Sequence, residues 1–281
     1  MGVTDVVQWA IPILVVAYVV ARGFRVDARL IGQWAAGSGL RLTPTTHAMV
    51  ARYLKWTRRC RVVGGLAGFV GPIAYSMATD NAFPIGNGLV LILAGYLVGA
   101  LVAEPIQWVG RRLGPALLIP RRLPDYLPSY VSAVQRGLAA VSVGMVGLWA
   151  LTPYPNQDVP EPKLSTFALY GIAGIGIAVV IELLQRVVVA RRQPATGADV
   201  VEADDAIRSA SVHALAGGGI GLLLIVVASE VAAFTPLGGA AGWSLALLSL
   251  FLNFSALFFW LELGKPRGHK VGRVGSGGAS A

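Results

Sequence analysis

Apolar blocks alternate along this chain with polar stretches, many of them basic, and the clearest example is Phe167–Arg192, FALYGIAGIGIAVVIELLQRVVVARR. It opens with about 15 residues free of charge, then carries Glu182, Arg186, Arg191 and Arg192. An uncharged run of this length closed by arginines predicts one membrane-crossing helix that ends at the cytoplasmic face. Seven such blocks follow one another: Val6–Ala21, Val62–Met77, Leu89–Ala103, Leu138–Leu151, Phe167–Leu184, Leu215–Val231 and Trp243–Leu261. Several are shorter than the roughly 20 residues a crossing needs, so the helices are expected to run a turn past these limits. Trp9, Trp108, Trp149, Trp243 and Trp260 lie near expected ends, where an amphipathic ring prefers the headgroup layer.

The polar blocks between them set an orientation. Arg22–Arg61, Glu104–Gly137, Gln185–Ala214 and the tail from Glu262 hold 9, 5, 4 and 4 Lys or Arg residues, leaving only Lys163 of the chain's 23 elsewhere. The positive-inside preference then puts the N-terminus outside and the C-terminus in the cytoplasm of a plasma (inner) membrane protein. An odd number of crossings satisfies that split, and seven is the count the blocks supply.

A repeat is also expected. The odd helices start near Val6, Leu89, Phe167 and Trp243, a period of roughly 80 residues. An acid marks their cytoplasmic edge each time: Asp27, loosely aligned, then Glu104, Glu182 and Glu262. Glu104 and Glu182 share Glu-x-x-Gln followed by paired arginines, Arg111–Arg112 and Arg191–Arg192. The pattern reads as three repeated helical hairpins plus a final helix, all in one orientation. The fold expected is therefore all-α: one polytopic integral membrane domain over residues 1–263 with basic cytoplasmic loops at 22–61, 104–137 and 185–214. Residues 264–281, rich in glycine and serine, are expected to be a disordered cytoplasmic tail.

Composition agrees with a lipid-facing surface. Only 13% of the 281 residues are charged, where a soluble domain carries roughly 25%. The net charge of +9 invites a nucleic-acid reading, but the basic residues sit against the ends of apolar blocks, so nucleic acid is not the expected partner. Cys60 is the single cysteine, which excludes an intramolecular disulfide and a cysteine-based zinc site. Asp5 precedes the first block and no basic residue does, so that block is expected to be a retained helix, not a secretory signal.

The inside loops carry pattern of their own. Thr43–Arg61 places Met49, Tyr53 and Trp56 on one helical face against Arg52, Lys55 and Arg59, as in a helix lying on an anionic leaflet. Helical approaches are expected at Asp125–Gln135 and Ala203–Val212, with Asp204 and Asp205 as cap and first-turn acid. Thr152–Thr166, outside, contains four prolines and is expected to be extended.

Candidate chemistry is sparse. Glu104, Glu182, Gln107 and Gln185 are the candidate substrate-binding set, because a charge in the membrane is costly unless it is used. The alternative is that both acids sit at headgroup depth and pair with arginines, Glu182 with Arg186 at the favourable i,i+4 spacing. Arg52, Lys55, Arg58, Arg59, Arg61, Arg111, Arg112, Arg191 and Arg192 are the candidate contacts to anionic lipid headgroups or to a protein partner at the cytoplasmic face. Glu230 reads as an exposed boundary residue, and Asn253 and Ser255 as hydrogen-bonding glue between helices. Gly64-x-x-x-Gly68 and the cluster Gly217–Gly221 read as sites of close backbone approach. The GGGIG run lacks the Lys-Ser/Thr of a phosphate loop. His47, His213 and His269 have no ligand spacing, so neither metal nor cofactor is expected. No serine sits in a nucleophile motif, and no catalytic residue is nominated. Two function classes follow: a non-catalytic membrane scaffold or accessory subunit docking a partner through its basic loops, or a transporter or permease subunit with Glu104 and Glu182 lining a polar path. A lipid-directed enzyme is a distant third.

Overall fold

The computed structural model describes residues 21, 24–79, 88–106, 116–117, 121–151, 164–191, 193–194, 197–235 and 239–265. The block Val6–Ala21 up to Val20, the outer loop 152–163, the tail from 266, and Gln107, Arg111, Arg112 and Arg192 lie outside the described residues, as do Trp9, Trp108 and His269. Seven α-helices occur among those described: α1 Ala28–Ser38, α2 Pro44–Thr79, α3 Gly88–Ile106, α4 Ser129–Leu151, α5 Leu164–Ala190, α6 Ala198–Ala233 and α7 Gly239–Leu263. A two-residue antiparallel contact joins Ala116–Leu117 to Gln193–Pro194. Among the described residues the fold is helical, and four stretches are long and apolar enough to cross a membrane: Ser129–Leu151, Phe167–Ala190, Ala198–Ala233 and Gly239–Leu263. Val90–Glu104 forms a shorter apolar helix.

Local chemistry sets the helix ends. At α1, Asp27 Oδ1 accepts from the Leu30 amide at 2.8 Å, and Gly39 closes the helix at φ 68°, a conformation that costs a glycine little. At α2, Pro44 occupies the first turn, where no amide is needed. Thr43 and Thr46 cap it reciprocally: the Thr43 amide donates to Thr46 Oγ1 at 2.8 Å, and the Thr46 amide donates to Thr43 Oγ1 at 3.3 Å.

With 36 residues each, α2 and α6 are about 54 Å long, against a hydrocarbon layer of about 30 Å. Both therefore project beyond the apolar bundle at its basic end, where α1 packs across them. Ile31, Trp34 and Ala35 of α1, Val50, Tyr53 and Leu54 of α2, and Ala203, Ala206 and Ile207 of α6 form a second, separate apolar core. This helical head corrects one expectation. Thr43–Arg61 does not form a separate surface helix; it continues into the apolar part of α2, and its Tyr53 face is covered by protein, with the Trp34 and Tyr53 rings 5.9 Å apart. The helical approach expected at Asp125–Gln135 is present from Ser129 onward, continuous with α4 and preceded by a 3-10 turn at Leu123–Asp125.

The bundle is organised around α6, which is buried on nearly every side from Ala203 to Val231. A helix that is apolar all round needs neighbours all round, and α3, α4, α5 and α7 supply them, with α2 outside α3. The Gly217–Gly221 run is where they meet: Gly217 lies against Phe259, Trp260 and Leu263 of α7, Gly218 against Leu101 of α3, and Gly219 against Ile181 of α5. The closest helix pairs are α2 with α3, α4 with α5, and α6 with α7. Gly64 and Gly68 of α2 face Gly95 and Gly99 of α3, a second small-xxx-small pair, so the two backbones touch. At the far end Trp149 stacks on Phe167 at 4.3 Å and both meet Phe234. Trp149 and Trp260 are buried against neighbouring helices, while Trp243 is 76% exposed. Asn253 donates to Ser249 O of its own helix, and the bond between helices is made instead by Ser249 Oγ to Ala228 O at 2.8 Å.

A Cβ at Gly99 would meet the backbone of Cys60 and Arg61, which cannot swing aside, whereas one at Gly71 would meet nothing within 4 Å. Gly99→Val is expected to destabilise the protein by at least about 2 kcal/mol. Gly71→Ala is expected to be silent or slightly stabilising. Thermal unfolding of the two variants in detergent checks the contrast.

Candidate functional site

Many of the polar residues that the fold buries gather at the junction of head and bundle, where α6 supplies Asp204, Arg208, Ser209, Ser211 and His213. Asp204, in its second turn, accepts from two arginines: Arg208 Nη2 at 2.9 Å and Arg191 Nη2 at 2.7 Å. Arg208 is fully buried and also donates to the carbonyls of Val189 at 2.6 Å and Arg191 at 2.9 Å. Those carbonyls end α5, so a guanidinium sits on the negative pole of that helix and satisfies groups the helix leaves open. Asp205, next in sequence, points to a different partner. Arg121 grips it through both guanidinium nitrogens, and the Tyr126 hydroxyl donates to Asp205 Oδ1 at 3.3 Å. Asp199, in the first turn of α6, accepts from Thr43 Oγ1 at 3.0 Å. Three acids of one helix therefore tie down the start of α2, the end of α5 and the segment before α4.

This arrangement revises the reading of Asp204 and Asp205 as cap and first-turn acid. The helix starts six residues earlier than Asp204, at Ala198, with Asp199 in its first turn, and the two acids are interior anchors. Arg208 was not among the candidate residues at all. Its signal was the i,i+4 spacing from Asp204 on a helix about to become apolar, where an unpaired charge would not survive burial.

Glu104, at the end of α3, lies fully buried in the same region. Tyr53 Oη donates to its Oε1 at 3.4 Å, the Ser211 hydroxyl lies beside it, and Arg61 and Arg191 are the nearest cations. The Arg61 guanidinium stacks on Trp260, 4.8 Å from the ring centroid. Gln185 is also fully buried, and among the described residues neither of its amide atoms has a hydrogen-bond partner. Glu182 is elsewhere. It lies on the outer surface of α5 and accepts from Arg186 at 2.6 Å, the expected i,i+4 pair, and from Arg136 of α4 at 2.5 Å.

The basic candidates divide in the same way. Arg52, Lys55 and Arg59 remain exposed on the head. Arg58 donates to the Arg25 carbonyl at 2.6 Å and so straps α2 to the start of α1. Arg61 and Arg191 turn inward. Glu230 overturns its sequence reading: it is fully buried, and Ser142 Oγ of α4 donates to its Oε1 at 2.7 Å. The last turn of α6 is enclosed by α4, α5 and the Trp149–Phe167–Phe234 cluster, so position near a helix end did not bring exposure. Among the described residues no three of His, Cys, Asp and Glu gather as a metal-ligand group. No protein-family model, curated protein or solved structure matches the chain.

Two expected outcomes test this geometry. Asp204→Asn leaves two buried arginines without their carboxylate and is expected to cost about 3–5 kcal/mol; Arg186→Ala, whose side chain is 64% exposed, is expected to cost less than about 1 kcal/mol. Chemical unfolding in mixed micelles separates the two. The Tyr126 hydroxyl, buried beside Asp205, is pushed from the ordinary 10.0 up to about 12. The folded state holds that proton more tightly than the unfolded chain, so its contribution is intact below about pH 10 and is lost as pH rises through about 12. Tyr126→Phe is expected to remove that alkaline decline, read as the difference between the two melting-temperature profiles.

Proposed function

We propose that the protein is a non-catalytic multipass membrane component, a scaffold or accessory subunit that docks a partner through its helical head. The observation that carries the reading is the destination of its buried charges. Asp204, Asp205, Arg121, Arg191 and Arg208 are all engaged in holding head to bundle, and Glu104 is packed among Tyr53, Ser211 and Arg61. A transport path lined by Glu104 and Glu182 draws no support from this arrangement, because one acid is buried at the junction and the other faces outward with two arginines.

The head is what the protein offers a partner. Arg29, Arg41, Arg52, Lys55 and Arg59 are exposed on it, and together they fit an acidic protein surface or anionic headgroups. In this reading the chain crosses the membrane seven times, with the Val6–Ala21 block as the first crossing, the N-terminus outside and the basic head in the cytoplasm of the inner membrane. Support comes from the near-complete segregation of Lys and Arg to one set of loops. The repeated hairpin belongs to the same reading, as a duplication whose copies have diverged: Glu104 turned inward to the knot and Glu182 outward to the surface.

Thiol labelling of single cysteines in a Cys60→Ser background tests both parts. Cysteines at Arg52 and Lys55 are expected to react only when reagent reaches the cytoplasmic side. Cysteines at Ala100 and Leu97, one and two turns deeper than Glu104, are expected to stay unreactive to aqueous reagent. Labelling at Leu97 would place water inside the bundle and favour the transporter reading.

A further inference from the structure

We propose that Arg136 and Arg186 form a binding site for one anionic phospholipid, whose acyl chain lies in the groove between α4 and α5. Glu182 Oε1 accepts from Arg136 at 2.5 Å and from Arg186 at 2.6 Å, so a single carboxylate holds two guanidinium groups side by side. The trio keeps a net charge of +1. Each arginine side chain is 64% exposed, and each guanidinium has five N–H groups, of which those facing the carboxylate are only a part. A phosphodiester is the ligand that two adjacent planar forks recognise best.

The surface beside the trio names the source of that phosphate. Ile172, Ile175 and Val179 recur at three- and four-residue steps with Glu182 and Arg186, so they share one stripe of α5. On α4, Ala140 and Val143 continue the stripe that begins at Arg136. All five are exposed, Ile172 at 67% and Val143 at 45%, and they belong to two of the stretches long and apolar enough to cross a membrane. Arg186 lies 19 residues from Phe167, about 28 Å along the helix, which puts the two guanidinium groups at the basic end of the apolar run, close to headgroup depth. An apolar stripe that ends in a fixed cationic pair fits a tail and a phosphate on one molecule. A free phosphate would use only the upper half.

The arginines here are distinct from those on the head. Arg136 and Arg186 are drawn together by one carboxylate, Glu182, whereas Arg52, Lys55 and Arg59 offer a diffuse basic face. Native mass spectrometry of the detergent-solubilised full chain, titrated with phosphatidylglycerol, phosphatidylcholine or inorganic phosphate, tests the site. The expected result is one retained phosphatidylglycerol, displaced neither by phosphatidylcholine nor by millimolar phosphate. Arg136→Ala/Arg186→Ala is expected to weaken retention about thirtyfold, at roughly a fivefold loss per arginine. Val143→Trp keeps both arginines, alters only an exposed position and fills the groove, so it carries the test even where the double variant folds poorly; it is expected to lose the lipid as well. Equal retention by wild type and Val143→Trp would overturn the groove. Equal binding of phosphatidylcholine, or displacement by inorganic phosphate, would overturn the assignment to an anionic lipid.

Discussion

Asp204 holds Arg191 and Arg208 together in a space closed to solvent, and that contact allows α6 to be buried along its length. Removing two guanidinium groups from water is costly unless each finds a carboxylate and further acceptors. Here the acceptors include the last carbonyls of α5, which need donors for their own reasons. The knot therefore solves two problems at once: it neutralises charge on a central helix and finishes a neighbouring one. Asp205 and Asp199 extend the same logic to the segment before α4 and to the cap of α2. The head is attached to the bundle through these contacts and through the unbroken helices α2 and α6.

Below the knot the constraint changes from charge to shape. Lipid supplies no hydrophobic drive for helices to associate, so contact depends on how closely backbones approach. The glycines of α6 present a thin surface to α3, α5 and α7 at one level, and the crossed glycine pairs of α2 and α3 do the same at the periphery. Leu97, Leu101 and Ile181 fill the space beside the glycines of α6, while α7 turns Phe251, Phe254 and Phe258 outward. At the far end a cluster of three aromatic rings closes the bundle above the buried Ser142–Glu230 hydrogen bond.

Glu104 and Glu182 show how one sequence signature serves two physical roles. Both follow an apolar run and precede a glutamine three residues later. Glu104 lies where α3 meets α2 and α6, so it is enclosed and finds Tyr53 and Ser211. Glu182 lies on the flank of α5, beside α4, so it remains half-open and finds two arginines. Helix identity is the same in each case. The difference is which side of the helix has a neighbour, and that difference separates a structural carboxylate from one placed to organise a cationic surface.

The apolar blocks determined that the chain is helical, and every block within the described residues lies inside a helix, because membrane-length hydrophobicity depends on local composition alone; α2 and α6, however, begin 18 and 17 residues before their blocks. The i,i+4 pair of Glu182 and Arg186 was legible for the same reason: its geometry is contained within one helix. What the sequence could not determine were the contacts between residues far apart in it. Arg121 meets Asp205 across 84 residues, Ser142 meets Glu230 across 88, and Arg136 meets Glu182 across 46. Periodicity says which face of a helix is polar, not which neighbour covers it, so Glu230 read as exposed and Arg208 passed unnoticed. Tertiary structure decided both, because burial of a charge depends on the helices that surround it and on whether they bring an acceptor.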